Sequence, residues 1–142
     1  MFRSFAIAAA LSAFSAPAGA NARDIGGLWL SPSHEAHVQI VRCGESWCGK
    51  LLSVLPFKSN PKVLDVHNKD PKLRDKPVVG MMLITGFKGG PNKWTGGRVY
   101  NPGDGNWYRG AITLVDEDHL QLKGCAFAIL CKSQTWTRLP AQ

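Results

Sequence analysis

Short apolar or alternating segments, separated by turn-forming residues, are the feature that most restricts how this chain can fold. Val38 and Ile40 share one face of an alternating run, which is typical of a half-buried strand, and almost no helical periodicity is present. The predicted strands are residues 25–30, 36–43, 47–55, 78–87, 93–100, 107–115, 119–125 and 133–139. Eight short strands joined by hairpins predict one all-β domain, either an antiparallel up-and-down barrel or a sandwich.

Residues 56–77 form the one long predicted connection, between strands three and four. This segment is polar, contains four prolines and predicts at most a short helical turn at 71–74. Long loops in compact domains often cover or build a binding site. The segment is therefore expected to contribute ligand-binding side chains.

The first 22 residues have the pattern of a secretory signal peptide. Arg3 precedes an apolar stretch at 5–14, and small residues follow, with cleavage sites expected after Ala20 or after Ala22. The apolar stretch is shorter than the ~20 residues that span a bilayer, so no transmembrane segment is expected. The sequence predicts a signal peptide at 1–22, a single mature domain at 23–142, and a periplasmic or secreted location.

The charge of the chain is basic but dispersed. The formal net charge is +7, and no strongly basic cluster stands apart from acidic residues. Aromatic residues near Lys93, Arg98 and Arg109 are compatible with nucleic-acid binding, but export argues against it. We expect no nucleic-acid partner, whereas an anionic envelope surface or an envelope protein stays open as a partner.

The four cysteines are an even number, which in an oxidising compartment predicts two disulfides. Three pairings exist, and the spacings favour the local one, Cys43 with Cys48 and Cys125 with Cys131, because both suit the ends of hairpins. A four-cysteine zinc site is the alternative, but the spacings differ from those of zinc knuckles.

Several motifs together resemble the uncharacterised bacterial family known as domain of unknown function 2147, over nearly the whole mature chain. They are Gly27-Leu28-Trp29, Cys48-Gly49-Lys50, Asp65, Asn68, Pro71, Leu73, Arg74, Trp94-Thr95-Gly96-Gly97, Tyr100-Asn101-Pro102, Asp104-Gly105, Tyr108 and Gln134-Thr135-Trp136-Thr137-Arg138. The resemblance implies a lipocalin-like barrel with an internal cavity and supplies no activity. Asn106 stands where the family pattern Asp-Gly-Lys-Xaa-Tyr has lysine.

Trp29 and Arg138 fit a structural contact of lipocalin-like barrels, in which a cationic side chain from the last strand covers a tryptophan of the first. Both residues are predicted to close one end of the barrel and not to bind a ligand.

No pattern in the sequence predicts catalysis. A Gly-x-Ser-x-Gly motif is absent, and His34-Glu35-Ala36-His37 lacks one spacer residue of the His-Glu-x-x-His zinc motif. Asp65, Asp70 and Asp75 are interleaved with lysines and arginines, which disfavours calcium. We expect no catalytic residue, metal or cofactor, and an enzyme is the less favoured class.

Two functions remain. The first is a binding module for a small apolar or amphipathic ligand, with the long loop and the turn after strand five meeting at one barrel mouth. Its candidate ligand-binding residues are Asp65, Asn68, Arg74, Trp94, Tyr100, Tyr108 and Arg109. The alternative is an envelope structural or interaction protein without a small ligand, for which the apolar segment 126–130 is the best motif if it is exposed.

Overall fold

The computed structural model describes residues 24–32, 36–54, 63–127 and 129–140; of Val54 only the backbone is described. The predicted signal peptide at 1–22 and part of the predicted loop, residues 55–62, lie outside the described residues. The strands are β1 (Gly27–Leu30), β2 (Ala36–Cys43), β3 (Ser46–Val54), β4 (Met82–Gly89), β5 (Lys93–Asn101), β6 (Asn106–Asp116), β7 (His119–Ala126) and β8 (Leu130–Leu139).

Each strand pairs antiparallel with the next, and β1 also pairs with β8, so the sheet closes into an eight-stranded barrel. This topology confirms the up-and-down barrel and excludes the sandwich. Closure leaves every strand with two neighbours, although β1 pairs with only three residues of β8, from Thr137 to Leu139.

Alternation along the strands places apolar side chains inside the barrel, as the sequence predicts. Four of the five tryptophans are buried, and Trp29, Ile112 and Leu120 are fully shielded from solvent. Every other strand also contributes to the core, which includes Val38, Ile40, Leu51, Ile84, Phe87, Trp94, Leu114, Leu122 and Trp136.

The antiparallel order gives the barrel two different ends. The closed end, as we use the term, carries the start of β1, the end of β8 and the turns at 44–45, 90–92 and 117–118. The open end carries the turn at 102–105, the ends of β7 and β8 that meet at Ala126 and Leu130, and the start of the β3–β4 connection. Residues at opposite ends of a strand are therefore separated by the length of the barrel.

The β3–β4 connection differs from the prediction in two respects. Residues 78–81 are not strand, because Met81 N–H bonds to Val78 O in a turn and Gly80, at a φ of 95°, donates to Leu51 O. The described part, 63–81, is also folded upon itself: Leu64 bridges Pro77, and a single 3-10 turn covers Pro71–Leu73. That turn lies within the predicted helical turn. Whether the whole connection is one long loop stays a prediction for residues 55–62.

Candidate functional site

The closed end is sealed by Arg138. Its guanidinium lies over the Trp29 ring, 4.3 Å from the centroid, and Trp29 Nε1 donates to Ile25 O at 2.9 Å. Arg138 also donates to three backbone oxygens, of Gly26 at 2.7 Å, Asp24 at 3.0 Å and Glu117 at 2.6 Å. One side chain thus ties the residues before β1 to the β6–β7 turn, in the arrangement expected of a structural contact.

A shallow cleft of about 340 Å³ lies on the outer side of the closed end. It is lined by Asp24, Arg42, Trp47, Gly89, Gly90, Pro91 and Trp94. Arg42 stacks on Trp47 with its guanidinium carbon 4.8 Å from the ring centroid, and the Trp94 ring packs against Gly90. Trp94 is only 1% exposed, so it is part of the core beneath this cleft. We predicted Trp94 at the same barrel mouth as the long loop. The structure places it at the closed end instead, away from the β3–β4 connection.

A row of glycines crosses the inner wall toward the open end. Gly97 pairs with Gly110, Gly110 with Gly124, and Gly124 with Lys132, so four adjacent strands meet at one level. The Phe87 ring fills the space over the first two: a Cβ on Gly97 would lie 2.3 Å from it, and one on Gly110 2.7 Å. At Gly124 the nearest atom to such a Cβ is Tyr108 Cβ at 3.6 Å. Phe87 therefore does not extend to Gly124, where an added Cβ would meet only this one atom within 4 Å.

The inner face of β8 is open to solvent beside Gly124. Trp136 and Leu122 are buried, but Gln134, which pairs with Leu122, is exposed, as are Lys132 and Leu130 further along the same face. The β1 pairing ends at Thr137, so the wall beside this part of β8 receives no β1 partner within the described ranges. We call this region the calyx mouth: Tyr108, Gly124, Leu130, Lys132 and Gln134, above a floor of Leu122 and Trp136.

Tyr108 lies at the calyx mouth with its hydroxyl bonded to the carboxylate of Asp104 in the β5–β6 turn. This hydrogen bond raises the pKa of Tyr108. Partial burial opposes ionisation of Asp104, but hydrogen bonds from Tyr108 and from the Asn106 amide hold the pKa of Asp104 below its ordinary value. The pair fixes the ring against the wall and places a carboxylate at the rim.

Asp65, Asn68 and Tyr100 form a second cluster, on the outside of the wall. Tyr100 O–H bonds to the Asp65 carboxylate at 2.7 Å, and Asn68 Nδ2 donates to the same group at 2.7 Å. Asp65 is 1% exposed, and it is the one charged side chain buried in the part of the chain that the structure describes. Burial, followed by the Asp65 hydrogen bond, raises the pKa of Tyr100 to about 12. These contacts hold the β3–β4 connection against β5.

The β5–β6 turn completes this contact. Gly105 has a φ of 72°, and a Cβ there would lie 1.8 Å from His67 O, so only glycine fits. The two predicted segments do meet, although they meet outside the barrel wall and bury their polar groups against each other. Neither Asp65 nor Tyr100 faces the barrel interior.

The other predicted residues are dispersed. Arg74 is exposed and its Nε donates to Asn68 O at 2.8 Å. Arg109 is exposed on the outer face of β6, opposite Arg98. Of the seven predicted ligand-binding residues, Tyr108 alone lies at the calyx mouth, and their role in binding stays a prediction.

The sequence analysis did not predict Gly97, Gly110, Gly124 or Lys132 as site residues. Glycine inside a predicted strand is a signal for a close approach or an unfilled space, and all three glycines lie within or next to predicted strands. Their alignment in one row depends on the register of four strands, which no local pattern reveals.

Both cysteine pairs are disulfides with the predicted local pairing, Cys43 with Cys48 and Cys125 with Cys131. In the described ranges no group of three or more His, Cys, Asp or Glu side chains is placed to hold a metal ion. The same ranges contain no helix long and apolar enough to span a bilayer.

Comparison with known proteins gives a fold and a family. The solved structure of HP1028 from Helicobacter pylori, described as belonging to the lipocalin family, superposes with a TM-score of 0.73 over 82% of this chain and 84% of that one, at 21% identity. No curated protein is significantly similar in sequence to this chain. Residues 27–138 match the profile described as "Uncharacterized protein conserved in bacteria (DUF2147)". The chain is therefore a member of the DUF2147 family, with the lipocalin-like barrel that its motifs imply.

Proposed function

We propose that the protein is an exported binding module whose calyx mouth takes up a small apolar or amphipathic molecule. The observation that carries the proposal is the contrast between the two ends: Arg138 seals one, while inward-facing Lys132 and Gln134 are exposed at the other. Small barrels of eight strands have room for one small ligand when their interior is not filled.

The chemistry of the calyx mouth suits an amphipathic ligand. Leu122 and Trp136 offer an apolar floor, and Gly124 leaves room above it. Lys132 and Gln134 place an ammonium and an amide at the rim, where they would meet the polar end of a ligand. Ligand pockets commonly combine apolar walls with a few polar groups of this kind.

A periplasmic or secreted location is part of the proposal. Its supports are the signal-peptide pattern at 1–22 and two disulfides, which persist in oxidising compartments. The alternative function, an envelope structural or interaction protein without a small ligand, makes no use of the calyx mouth.

The test combines native mass spectrometry of protein purified from its own periplasm with titration of a neutral fluorescent probe, N-phenyl-1-naphthylamine. Gly124→Leu fills the unfilled part of the glycine row, so we expect at least tenfold weaker probe binding with unchanged thermal unfolding. Gln121→Leu, which adds the same side chain to the exposed outer face of β7, is the matched control and keeps wild-type affinity.

Equal probe affinity of wild type and Gly124→Leu would contradict binding at the calyx mouth. If the wild-type protein carries no molecule from the periplasm and binds no probe, the proposed ligand binding is wrong. The alternative, an envelope structural or interaction protein, would then be favoured.

A further inference from the structure

The tip of the β7–β8 hairpin exposes three large apolar side chains. Phe127 is 83% exposed, Ile129 87% and Leu130 62%, which are the highest values among the large apolar residues that the structure describes. Burying such side chains is the ordinary outcome of folding, so their joint exposure on one hairpin requires an explanation.

A disulfide crosses the hairpin just below these side chains. The disulfide between Cys125 and Cys131 joins two directly paired residues immediately below the tip. Phe127 has a φ of 62°, a conformation that residues other than glycine adopt at a cost. The disulfide thus fixes the base of the tip, from which Phe127 and Ile129 extend into solvent.

Basic residues lie on the outer face of the wall beside the hairpin, near the level of this disulfide. Arg98 pairs with Arg109, and Arg109 pairs with Cys125, so two exposed guanidinium groups share one row with the disulfide on the outer face. Lys123 is exposed one step lower on the same face. We call Arg98, Arg109 and Lys123 the basic collar.

Trp107 completes this region. It is 42% exposed, lies on the outer face two residues from Arg109, and stacks with Arg98, whose guanidinium carbon is 5.1 Å from the ring centroid. Tryptophan favours the interface between an apolar phase and water, because its ring is apolar and its N–H is polar.

We propose that the hairpin tip inserts into the surface of a bilayer containing anionic phospholipid, with the basic collar against the lipid phosphates. Strand geometry places the tip about 7 Å beyond the collar, at roughly 3.3 Å per residue. Interfacial segments bury their apolar groups about 5–10 Å into the headgroup boundary, so apolar tip and basic collar match the two layers of a lipid surface.

A protein partner fits this surface less well. Stable protein interfaces use about 20–30 residues a side, whereas the apolar tip has three described side chains on a narrow hairpin. The carboxylate of Asp104 in the β5–β6 turn is partly buried and bonded to Tyr108, whereas the exposed charged residues Lys123 and Lys132 of the hairpin and Arg109, which pairs with it, are basic.

Insertion would turn the calyx mouth toward the bilayer, because both lie at the open end. The inference does not depend on the proposed ligand, since Phe127, Ile129 and the basic collar lie outside the calyx mouth, and Leu130 alone belongs to both regions. A protein that binds vesicles yet retains no small molecule would support this inference and contradict the proposed function.

The test is flotation of the mature protein with large unilamellar vesicles of phosphatidylcholine containing about a third phosphatidylglycerol. The variant Phe127→Asn with Ile129→Ser keeps the backbone conformation, because asparagine tolerates positive φ, and removes two exposed apolar groups. We expect its vesicle affinity to fall at least tenfold, with unchanged thermal unfolding. Val115→Ser, at a 61% exposed valine of β6 near the closed end, is the matched control and binds as the wild type does.

The basic collar gives a second measurement. Arg109→Gln and Lys123→Gln should each weaken binding to anionic vesicles about fivefold, and should leave binding to pure phosphatidylcholine unchanged. Two results would overturn the proposal: wild-type protein that does not float with anionic vesicles, or a tip variant that floats as well as the wild type. In the first case, a photo-crosslinker at position 129 that captures one envelope protein would identify the tip as a protein-binding site instead.

Discussion

The hydroxyl of Tyr100 and the carboxylate of Asp65 form the one buried contact between two polar side chains that the structure describes. Tyr100→Phe removes one of the two side-chain donors to this carboxylate and leaves Asn68 as the other. A buried acceptor that loses a partner costs about 1–3 kcal/mol. We therefore expect Tyr100→Phe to lower the free energy of unfolding by that amount at pH 8, measured by urea denaturation.

The cost of this substitution should depend on pH. The pKa of Tyr100 is raised from 10.0 to about 12, so folding favours the neutral hydroxyl. The stability that this shift supplies is complete below pH 10 and is lost as the pH rises from 10 toward 12. The difference between wild type and Tyr100→Phe should accordingly shrink between pH 8 and pH 11. The same difference at both pH values would contradict the assignment.

At the scale of strands, the glycines of the row differ in how much space is left for a side chain. Gly97→Ala places a methyl group 2.3 Å from the Phe87 ring, whereas Gly124→Ala meets its nearest atom at 3.6 Å. Overpacking a filled core costs about 1–3 kcal/mol, so the first variant should lose that much free energy of unfolding and the second less than about 0.5 kcal/mol. Urea denaturation of the two variants checks this, and equal costs would mean that the row is filled along its whole length.

The strands were largely predictable because their signals are local. Alternation gave the bounds of β2 as the structure has them, and turn formers located the remaining hairpins to within a few residues. The prediction for 78–81 was wrong, since an apolar pattern cannot reveal that Gly80 turns the chain there.

The candidate site was less predictable because it depends on register. Tyr100 lies six positions after Trp94, an even spacing that in a regular strand places both side chains on one face. A bulge at Gly96, with a φ of 77°, shifts the register, so that Trp94 faces the interior and Tyr100 the exterior. The calyx mouth also combines β6, β7 and β8, whose alignment is a property of the closed barrel and of no single segment.

At the scale of the whole molecule, the residue that stabilises the closed end and the proposed ligand-binding residues lie toward opposite ends of the barrel. Arg138 connects the residues before β1 with the β6–β7 turn and with β8 at the closed end, whereas Gly124 lies in the wall toward the other end. Substitutions at the two ends share no partner, so their effects should be independent.

The variant Arg138→Ala tests this separation. It removes three hydrogen bonds from a charged donor to backbone oxygens and the contact with Trp29, so we expect a loss of about 1–3 kcal/mol in the free energy of unfolding. Arg138→Lys should be intermediate, because an ammonium cannot reproduce the planar set of donors. Arg109→Ala is the matched control: its side chain makes no hydrogen bond or ion pair with the rest of the described chain, and it should lie within about 0.5 kcal/mol of wild type.

Probe binding should be weakened by Gly124→Leu and not by Arg138→Ala, whereas stability should be lowered by Arg138→Ala and not by Gly124→Leu. Measured well below its unfolding temperature, Arg138→Ala should bind N-phenyl-1-naphthylamine as the wild type does, while Gly124→Leu keeps wild-type stability and loses affinity. Urea denaturation and probe titration of both purified variants measure the two effects. An unchanged denaturation midpoint in Arg138→Ala would show that the closed end does not depend on this residue. Weakened probe binding in the same variant would show that the two ends are coupled through the core.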